Sequence, residues 1–128
     1  MRELDDKLYR AAGTGTVEEV RKLLDTGANP NTRSSRGDGY TPLIEAAFRG
    51  RIEVVRLLVD KGADVKAASR AGWTALMSAA WEGHTEVVKQ LLQRGADLRP
   101  KNGRGETALS LAESAGNTEV AALLRAAR

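Results

Sequence analysis

Short apolar stripes alternate with polar, glycine-rich segments along this chain of 128 residues. After Thr41 and Pro42, apolar residues stand at 43, 46 and 47, which is the i, i+3, i+4 spacing of one helix face. A second apolar stripe, at 54, 55, 58 and 59, is bounded by Gly50 and Gly62. Threonine suits a helix N-cap, proline the first helical position, and glycine the helix end. The pattern predicts two short helices joined by a tight turn and followed by an extended return segment.

The same pattern recurs at an interval of 33 residues, in Tyr40-Thr41-Pro42-Leu43, Trp73-Thr74-Ala75-Leu76 and Glu106-Thr107-Ala108-Leu109. The residues before Tyr40 fit it if two extra residues are placed in the Arg33–Gly39 loop, where an insertion costs little. Because each alanine-rich pair buries little surface alone, stacking of the units must build the core. We expect a single domain over 1–128, with internal units at 40–72 and 73–105. More polar capping units are expected at about 4–39 and 106–128.

Two stretches of the chain carry a family resemblance. The first is Thr41-Pro42-Leu43-Ile44-Glu45-Ala46-Ala47, followed by Gly50 and Gly62-Ala63-Asp64-Val65, and the second is Thr74-Ala75-Leu76-Met77-Ser78-Ala79-Ala80, followed by Gly83-His84 and Gly95-Ala96-Asp97-Leu98. Both resemble the ankyrin repeat. The resemblance covers essentially the whole chain. It implies an all-α solenoid of paired antiparallel helices with β-hairpin-like loops, and a concave face formed by the loops and the first helices. The family usually has histidine after Thr-Pro-Leu; here Ile44, Met77 and Ser110 stand there, so we expect apolar packing at 44 and 77.

Composition narrows the functional class. Hydrophobic residues make up 41% and charged residues 29%, as in soluble globular domains. No apolar run approaches the roughly 18 residues of a membrane span, and no signal-peptide pattern follows Met1, so we expect a cytoplasmic protein without a membrane partner. Cysteine is absent, which excludes disulfides and thiolate metal sites. The net charge is +3, and the basic residues are concentrated in the loops, at Arg33, Arg36, Lys66, Arg70, Arg99, Lys101 and Arg104.

Catalytic and cofactor motifs are missing from the sequence. The glycine-rich turns at 13–15, 37–39 and 103–105 do not complete a dinucleotide-binding motif and follow no buried strand. His84 has no second histidine or cysteine with which to share a metal, so we expect a structural role in a turn. Asp5 and Asp6 are interpreted as an N-terminal cap rather than an acid–base pair. We therefore predict no enzyme activity, no catalytic residue, no cofactor and no metal.

Four of the five aromatic residues fall at two equivalent places of the repeat: Tyr40 and Trp73 before the threonine, Phe48 and Trp81 late in the first helix. We call these four residues the aromatic ladder. In the ankyrin family these places lie on the concave side and vary with the partner. Aromatic side chains bury a large area at low entropic cost, which suits an interaction hot spot. Tyr9 aligns with Ile44 and Met77 and is expected to pack within the N-terminal cap instead.

The sequence thus favours a non-catalytic module that binds a partner protein or peptide on its concave face. The loop arginines favour an acidic partner, whereas separated basic residues without a nucleic-acid motif speak against DNA or RNA. We expect a monomer. The predicted partner-binding residues are Tyr40, Phe48, Arg49, Arg70, Trp73, Trp81, Glu82 and Arg104.

Other interpretations stay open at this point. The aromatic ladder could instead pack on neighbouring repeats and stiffen the array. Trp73, Trp81 and Glu82 have the chemistry of a methyl-lysine cage, as in certain ankyrin domains of histone methyltransferases. An engineered scaffold or binder without a native cellular partner would also explain the polar ends and the missing cysteines. Against this last interpretation, residues 40–72 and 73–105 agree at fewer than half of their positions.

Overall fold

The structure is a computed structural model that describes residues 3–128. This part contains eight helices: α1 Glu3–Thr14, α2 Val17–Asp25, α3 Pro42–Phe48, α4 Ile52–Asp60, α5 Ala75–Glu82, α6 Thr85–Gln93, α7 Ala108–Ser114 and α8 Thr118–Ala127. Consecutive helices pack in pairs, α1 with α2 and so on to α7 with α8. The first helices of the pairs pack against one another in series, and the second helices form a parallel row. The predicted all-α solenoid is confirmed.

Threonine side chains start the first helices, as the sequence predicts. The Thr41 hydroxyl accepts the backbone N–H of Ile44 at 3.1 Å, Thr74 that of Met77 at 3.2 Å, and Thr107 that of Ser110 at 3.1 Å. Each bond satisfies one of the four N–H groups that a helix N-terminus leaves without an intrahelical partner. Ile44 and Met77 are themselves only 2% exposed, so apolar packing does replace the family's histidine there.

We expect Thr74→Ala to lower the free energy of unfolding by about 1 kcal/mol, the usual loss for a deleted N-cap. Thr74 is buried, so water cannot readily replace the hydroxyl as the acceptor for the Met77 N–H. Urea denaturation monitored by circular dichroism measures the change. Thr74→Ser keeps the acceptor oxygen and is the matched control; an equal loss in both variants would contradict a capping role.

Alanine pairs at the centre of the first helices allow those helices to approach closely. Ala46, Ala47, Ala79 and Ala80 are fully buried. Around them lies one continuous apolar cluster that extends from Leu8 to Leu124. Because this cluster crosses every repeat, each repeat depends on its neighbours for burial.

The outer side of the first helix pair is polar. Lys7, Glu19 and Lys22 line a solvent-filled depression there. The equivalent residues of the second pair are Pro42, Val54 and Leu57, which are buried against the first pair. The first helix pair therefore has charged residues at positions where the second pair has apolar ones, and the capping role of the first unit stays a prediction.

The interpretation of Asp5 and Asp6 as an N-terminal cap is wrong for Asp5. This residue lies within α1 and is 7% exposed. Its Oδ1 accepts the backbone N–H of Asn29 at 2.8 Å, which joins α1 to the segment after α2. Asp6 forms an exposed ion pair with Arg10 at 3.2 Å. The acceptor role arises between residues far apart in the sequence, so no local pattern could indicate it.

The long loops close as hairpins. The N–H of Ser34 donates to the Tyr40 carbonyl at 2.8 Å, Ser69 donates to Trp73 at 2.8 Å, and Asn102 donates to Glu106 at 2.9 Å. The first hairpin therefore holds two more residues than the other two, as the sequence predicts for the Arg33–Gly39 loop.

Neighbouring hairpins are hydrogen-bonded to each other. The N–H of Arg70 donates to the Asp38 carbonyl at 3.0 Å, and the N–H of Gly103 donates to the Ala71 carbonyl at 2.8 Å. Between residues 3 and 128, no helix combines the length and the apolar composition needed to cross a membrane.

Candidate partner-binding face

We call the solvent-facing side of α1, α3, α5 and α7, next to the hairpin tips, the inner face. Arg36 of the first hairpin lines the same pocket as Glu45 of α3 and Arg49, the C-cap residue that follows α3, which fixes the side of α3 that faces the hairpins. Phe48 is a neighbour of Glu45 on the helix surface by its spacing of three residues, and it directly precedes Arg49 in the chain. Phe48 is 45% exposed and Trp81, its equivalent on α5, is 41% exposed. No other large apolar side chain among residues 3–128 is exposed to this degree.

The other two members of the aromatic ladder are placed differently. Tyr40 and Trp73 are half-buried and pack against the apolar core. Their backbones close the hairpins, and their N–H groups donate to Asp38 Oδ1 and to Ser69 Oγ, both at 3.1 Å. The aromatic ladder therefore consists of an exposed pair and a half-buried pair.

The backbone that carries the exposed pair is fixed by the following repeat. His84 Nε2 lies 2.9 Å from the Phe48 carbonyl oxygen, and since a carbonyl only accepts, Nε2 is the donor. Asn117 Nδ2 donates to the carbonyls of Ala80 at 2.8 Å and Trp81 at 2.9 Å. These bonds supply side-chain donors to carbonyls in the last turns of α3 and α5, where the helix leaves carbonyl acceptors free. The Ala80 carbonyl also accepts the N–H of Gly83 at 3.3 Å.

Arg51 plays the same part for α1. Its guanidinium donates to the carbonyls of Ala11 at 2.9 Å and Ala12 at 3.0 Å, and to that of Gly15. Arg51, His84 and Asn117 each directly follow a glycine and are separated by the repeat interval. Sequence reasoning assigned a structural role to His84 but missed the other two. The shared position after glycine was the signal that could have found them.

Charged side chains surround the exposed pair. Arg49 Nε donates to Glu45 Oε2 at 2.9 Å, and the Tyr9 hydroxyl donates to Glu45 Oε1 at 3.3 Å. Burial raises the pKa of the Tyr9 hydroxyl above its usual value, and the Glu45 carboxylate raises it further. Glu82 and Arg104 are exposed, and their side chains form no ion pair within residues 3–128.

Two loop arginines serve the structure of the loops. Arg70 Nη1 donates to the Gly37 carbonyl at 3.0 Å. Arg33 Nη1 donates to the carbonyls of Gly39 and Ala68, both at 2.7 Å. Both residues remain exposed, yet each fixes one hairpin against the next.

Metal binding finds no support in the part of the chain that the structure describes, where no group of three or more His, Cys, Asp or Glu residues could hold an ion.

Segments of the chain are similar to parts of much longer proteins. It is 52% identical over 61 residues to the ankyrin repeat and KH domain-containing protein mask of Drosophila melanogaster, which is 48% of this chain and 2% of that protein. It is 37% identical over 70 residues to the 2-5A-dependent ribonuclease of Mus musculus, covering 55% of this chain and 9% of that one. An ankyrin repeat-containing protein of Schizosaccharomyces pombe is 35% identical over 65 residues, 51% of this chain and 30% of the relative.

The family comparison covers more of the chain than any of these segments. A model of ankyrin repeats, in three copies, matches residues 8–102, which include the second half of α1, all of α2 to α6 and the three hairpin-closing residues Ser34, Ser69 and Asn102. The described helices and hairpins are those that the resemblance to this family implied. The chain therefore belongs to the ankyrin repeat family.

Proposed function

We propose that this chain is a non-catalytic module that binds a partner protein or peptide on its inner face, with Phe48 and Trp81 as apolar anchors. Ankyrin repeats are generally protein-interaction modules. The observation that carries the proposal is the exposure of these two aromatic side chains on backbone that His84 and Asn117 hold in place.

Exposed aromatic rings on a fixed backbone suit binding for an energetic reason. Phe48 and Trp81 have few side-chain torsions to immobilise, and their backbone is already ordered before a partner arrives. Burying such side chains in an interface typically contributes about 2 kcal/mol or more at a hot spot. Tyr40 and Trp73 pack against the core and so stabilise the repeats that carry this face.

The charges on the inner face favour a particular partner. Arg49 beside Phe48 and Arg104 on the third hairpin favour acidic side chains, and Glu82 beside Trp81 favours a basic one. Arg70 adds positive charge between them while it holds Gly37. We propose no methyl-lysine cage, because Trp73 packs against the core while Trp81 is exposed.

The double variant Phe48→Ala/Trp81→Ala tests the proposal. We expect it to bind the partner about 100-fold more weakly, since two hot-spot truncations typically remove at least the roughly 2.7 kcal/mol that this factor represents. Pull-down from a cell lysate with quantitative mass spectrometry identifies proteins retained by the original chain and lost from the variant. Isothermal titration calorimetry with one purified candidate then measures the affinity.

The matched control carries two exposed substitutions on the second helices, Arg56→Ala and Lys89→Ala, away from the inner face. It should retain every partner, and circular dichroism should give both variants the helix content of the original chain. A double variant that is folded and keeps full affinity would refute the role of Phe48 and Trp81.

A further inference from the structure

The first repeat interface contains a pocket whose charged lining the others lack. It has a volume of about 200 Å3 and is lined by Tyr9, Arg10, Gly13 and Thr14 of α1, Arg36 of the first hairpin, Glu45 of α3 and Arg49 directly after α3. At the next interface, the equivalents of Tyr9, Glu45 and Arg49 are Ile44, Ser78 and Glu82. The cluster of three arginines is therefore particular to the α1–α3 interface.

The two extra residues of the first hairpin bring Arg36 to this place. The hairpin closes between Ser34 and Tyr40, a span of six positions against four in the other two hairpins. Arg36 lies inside that longer span and lines the same pocket as Tyr9. The insertion thus adds a cation to the inner face rather than only lengthening a loop.

The single carboxylate of the pocket is already engaged. Glu45 accepts from Arg49 and from the Tyr9 hydroxyl, one bond on each oxygen, and only 17% of its side chain is exposed. It therefore holds Arg49 in place and neutralises one of the three positive charges. The other two arginines pair with carboxylates outside the pocket lining, Asp6 and Asp38.

The arginines have donors left for a ligand. Arg49 uses one of its five N–H donors on Glu45. Arg10 pairs with Asp6 at 3.2 Å and Arg36 with Asp38 at 3.8 Å, and in both pairs the arginine side chain is more than half exposed. Exposed pairs of this kind typically contribute less than about 1 kcal/mol, so a ligand can compete for these guanidinium groups.

We propose that this pocket binds the carboxylate of an aspartate or glutamate side chain of the partner, placed beside the aromatic anchor Phe48. Planar guanidinium groups match a carboxylate by paired N–H donors, and three of them converge here around a volume that admits a single side chain. This inference rests on the proposed binding function and adds a required acidic residue to the partner's chemistry. It also orients the partner, with its acidic residue toward α1 and its apolar residues toward α5.

The test uses a small probe, so it does not depend on knowing the partner. N-acetyl-glutamate N-methylamide is titrated into the 15N-labelled chain, with the uncharged N-acetyl-glutamine N-methylamide as its control. Amide and arginine Nε resonances report the binding site. We expect a dissociation constant on the order of 1–10 mM, ordinary for a ligand this small. The shifts should be confined to the amides of Tyr9, Gly13 and Thr14 and to the Nε groups of Arg36 and Arg49.

Variants assign the site. Arg36→Ala and Arg49→Ala should each weaken binding of the glutamate probe at least tenfold, whereas Arg56→Ala, at an exposed position of α4, should leave it unchanged. Equal binding of the glutamine probe, or shifts spread over Arg70 and Arg104 as well, would overturn the proposal. Inorganic phosphate is titrated as a third probe, and saturation by phosphate with no response to glutamate would overturn it too.

The two proposals fail in different experiments. If the original chain binds the glutamate probe but the Phe48→Ala/Trp81→Ala variant keeps its partners, the carboxylate site is supported and the role of the two aromatic anchors is refuted. If the double variant loses its partners but the original chain does not respond to the glutamate probe, the anchors are supported and the carboxylate site is refuted.

Discussion

Replacing Arg51 with alanine is expected to lower the free energy of unfolding by about 3 to 4 kcal/mol, because it removes charge-assisted hydrogen bonds that typically contribute about 1.5–3 kcal/mol each without adding fully. The guanidinium joins α4 to three carbonyls at the end of α1, those of Ala11, Ala12 and Gly15. A positive charge at a helix C-terminus also interacts favourably with the helix dipole. Alanine would remove the guanidinium donors from a partly buried interface, where only the Ala11 carbonyl also accepts a backbone N–H, that of Gly15 at 2.8 Å.

The loss should be local, because each repeat of a solenoid contacts only its neighbours. We expect amide hydrogen exchange to accelerate in α1 and α2 while α5 to α8 keep their protection. Urea denaturation supplies the magnitude. Arg56→Ala is the matched control: its arginine is exposed, pairs with Glu53 at 2.7 Å, and should cost less than about 1 kcal/mol. Equal losses in the two variants, or exchange that accelerates uniformly over the chain, would contradict this account.

The hydrogen bonds of Arg51, compared with the helix N-caps, show which parts of this fold a single sequence can predict. Helix starts follow from Thr41, Thr74 and Thr107, because an N-cap bond spans only three residues and leaves a local pattern. Arg51 instead donates to carbonyls 36 to 40 residues earlier in the chain. Its partners carry no side-chain signal, since any residue offers a carbonyl. Only the repeat interval, which aligns Arg51 with His84 and Asn117, gives a clue.

The candidate site is predictable to a smaller extent. The repeat aligns Phe48 with Trp81 and Tyr40 with Trp73, yet it does not indicate which pair is exposed. Tyr40 and Trp73 lie where a hairpin enters a helix, and there both side chains pack against the core. The position of Arg36 in the pocket lined by Tyr9 depends on the conformation of a loop with two extra residues, for which the other repeats offer no template. The binding roles of all these residues stay predictions.

Gly50→Ala is expected to lower the free energy of unfolding by about 3 kcal/mol, of which the left-handed backbone accounts for only about 1 to 2 kcal/mol. Gly50 has φ of +72°, and a Cβ there would lie 2.6 Å from His84 Nδ1 and 2.9 Å from Cγ. The His84 imidazole cannot move away from the added Cβ without losing its hydrogen bond to the Phe48 carbonyl. The substitution thus combines backbone strain with the loss of a contact between repeats.

Gly116→Ala separates these two contributions. Gly116 holds the equivalent position in the last repeat with φ of +75°, and nothing lies within 4 Å of the Cβ it would gain. Its substitution should therefore lower the free energy of unfolding only by the cost of the left-handed backbone conformation, and the difference between the two variants measures the clash with His84.

In the double variant Gly50→Ala/His84→Ala the clash is gone, so the loss of free energy of unfolding should be smaller than the sum of the two single losses. Strict additivity would mean that the imidazole moves aside freely. The bond from His84 to Phe48 would then not hold the backbone beneath the proposed anchor, because a contact that shifts without a loss of free energy cannot fix the residue it touches.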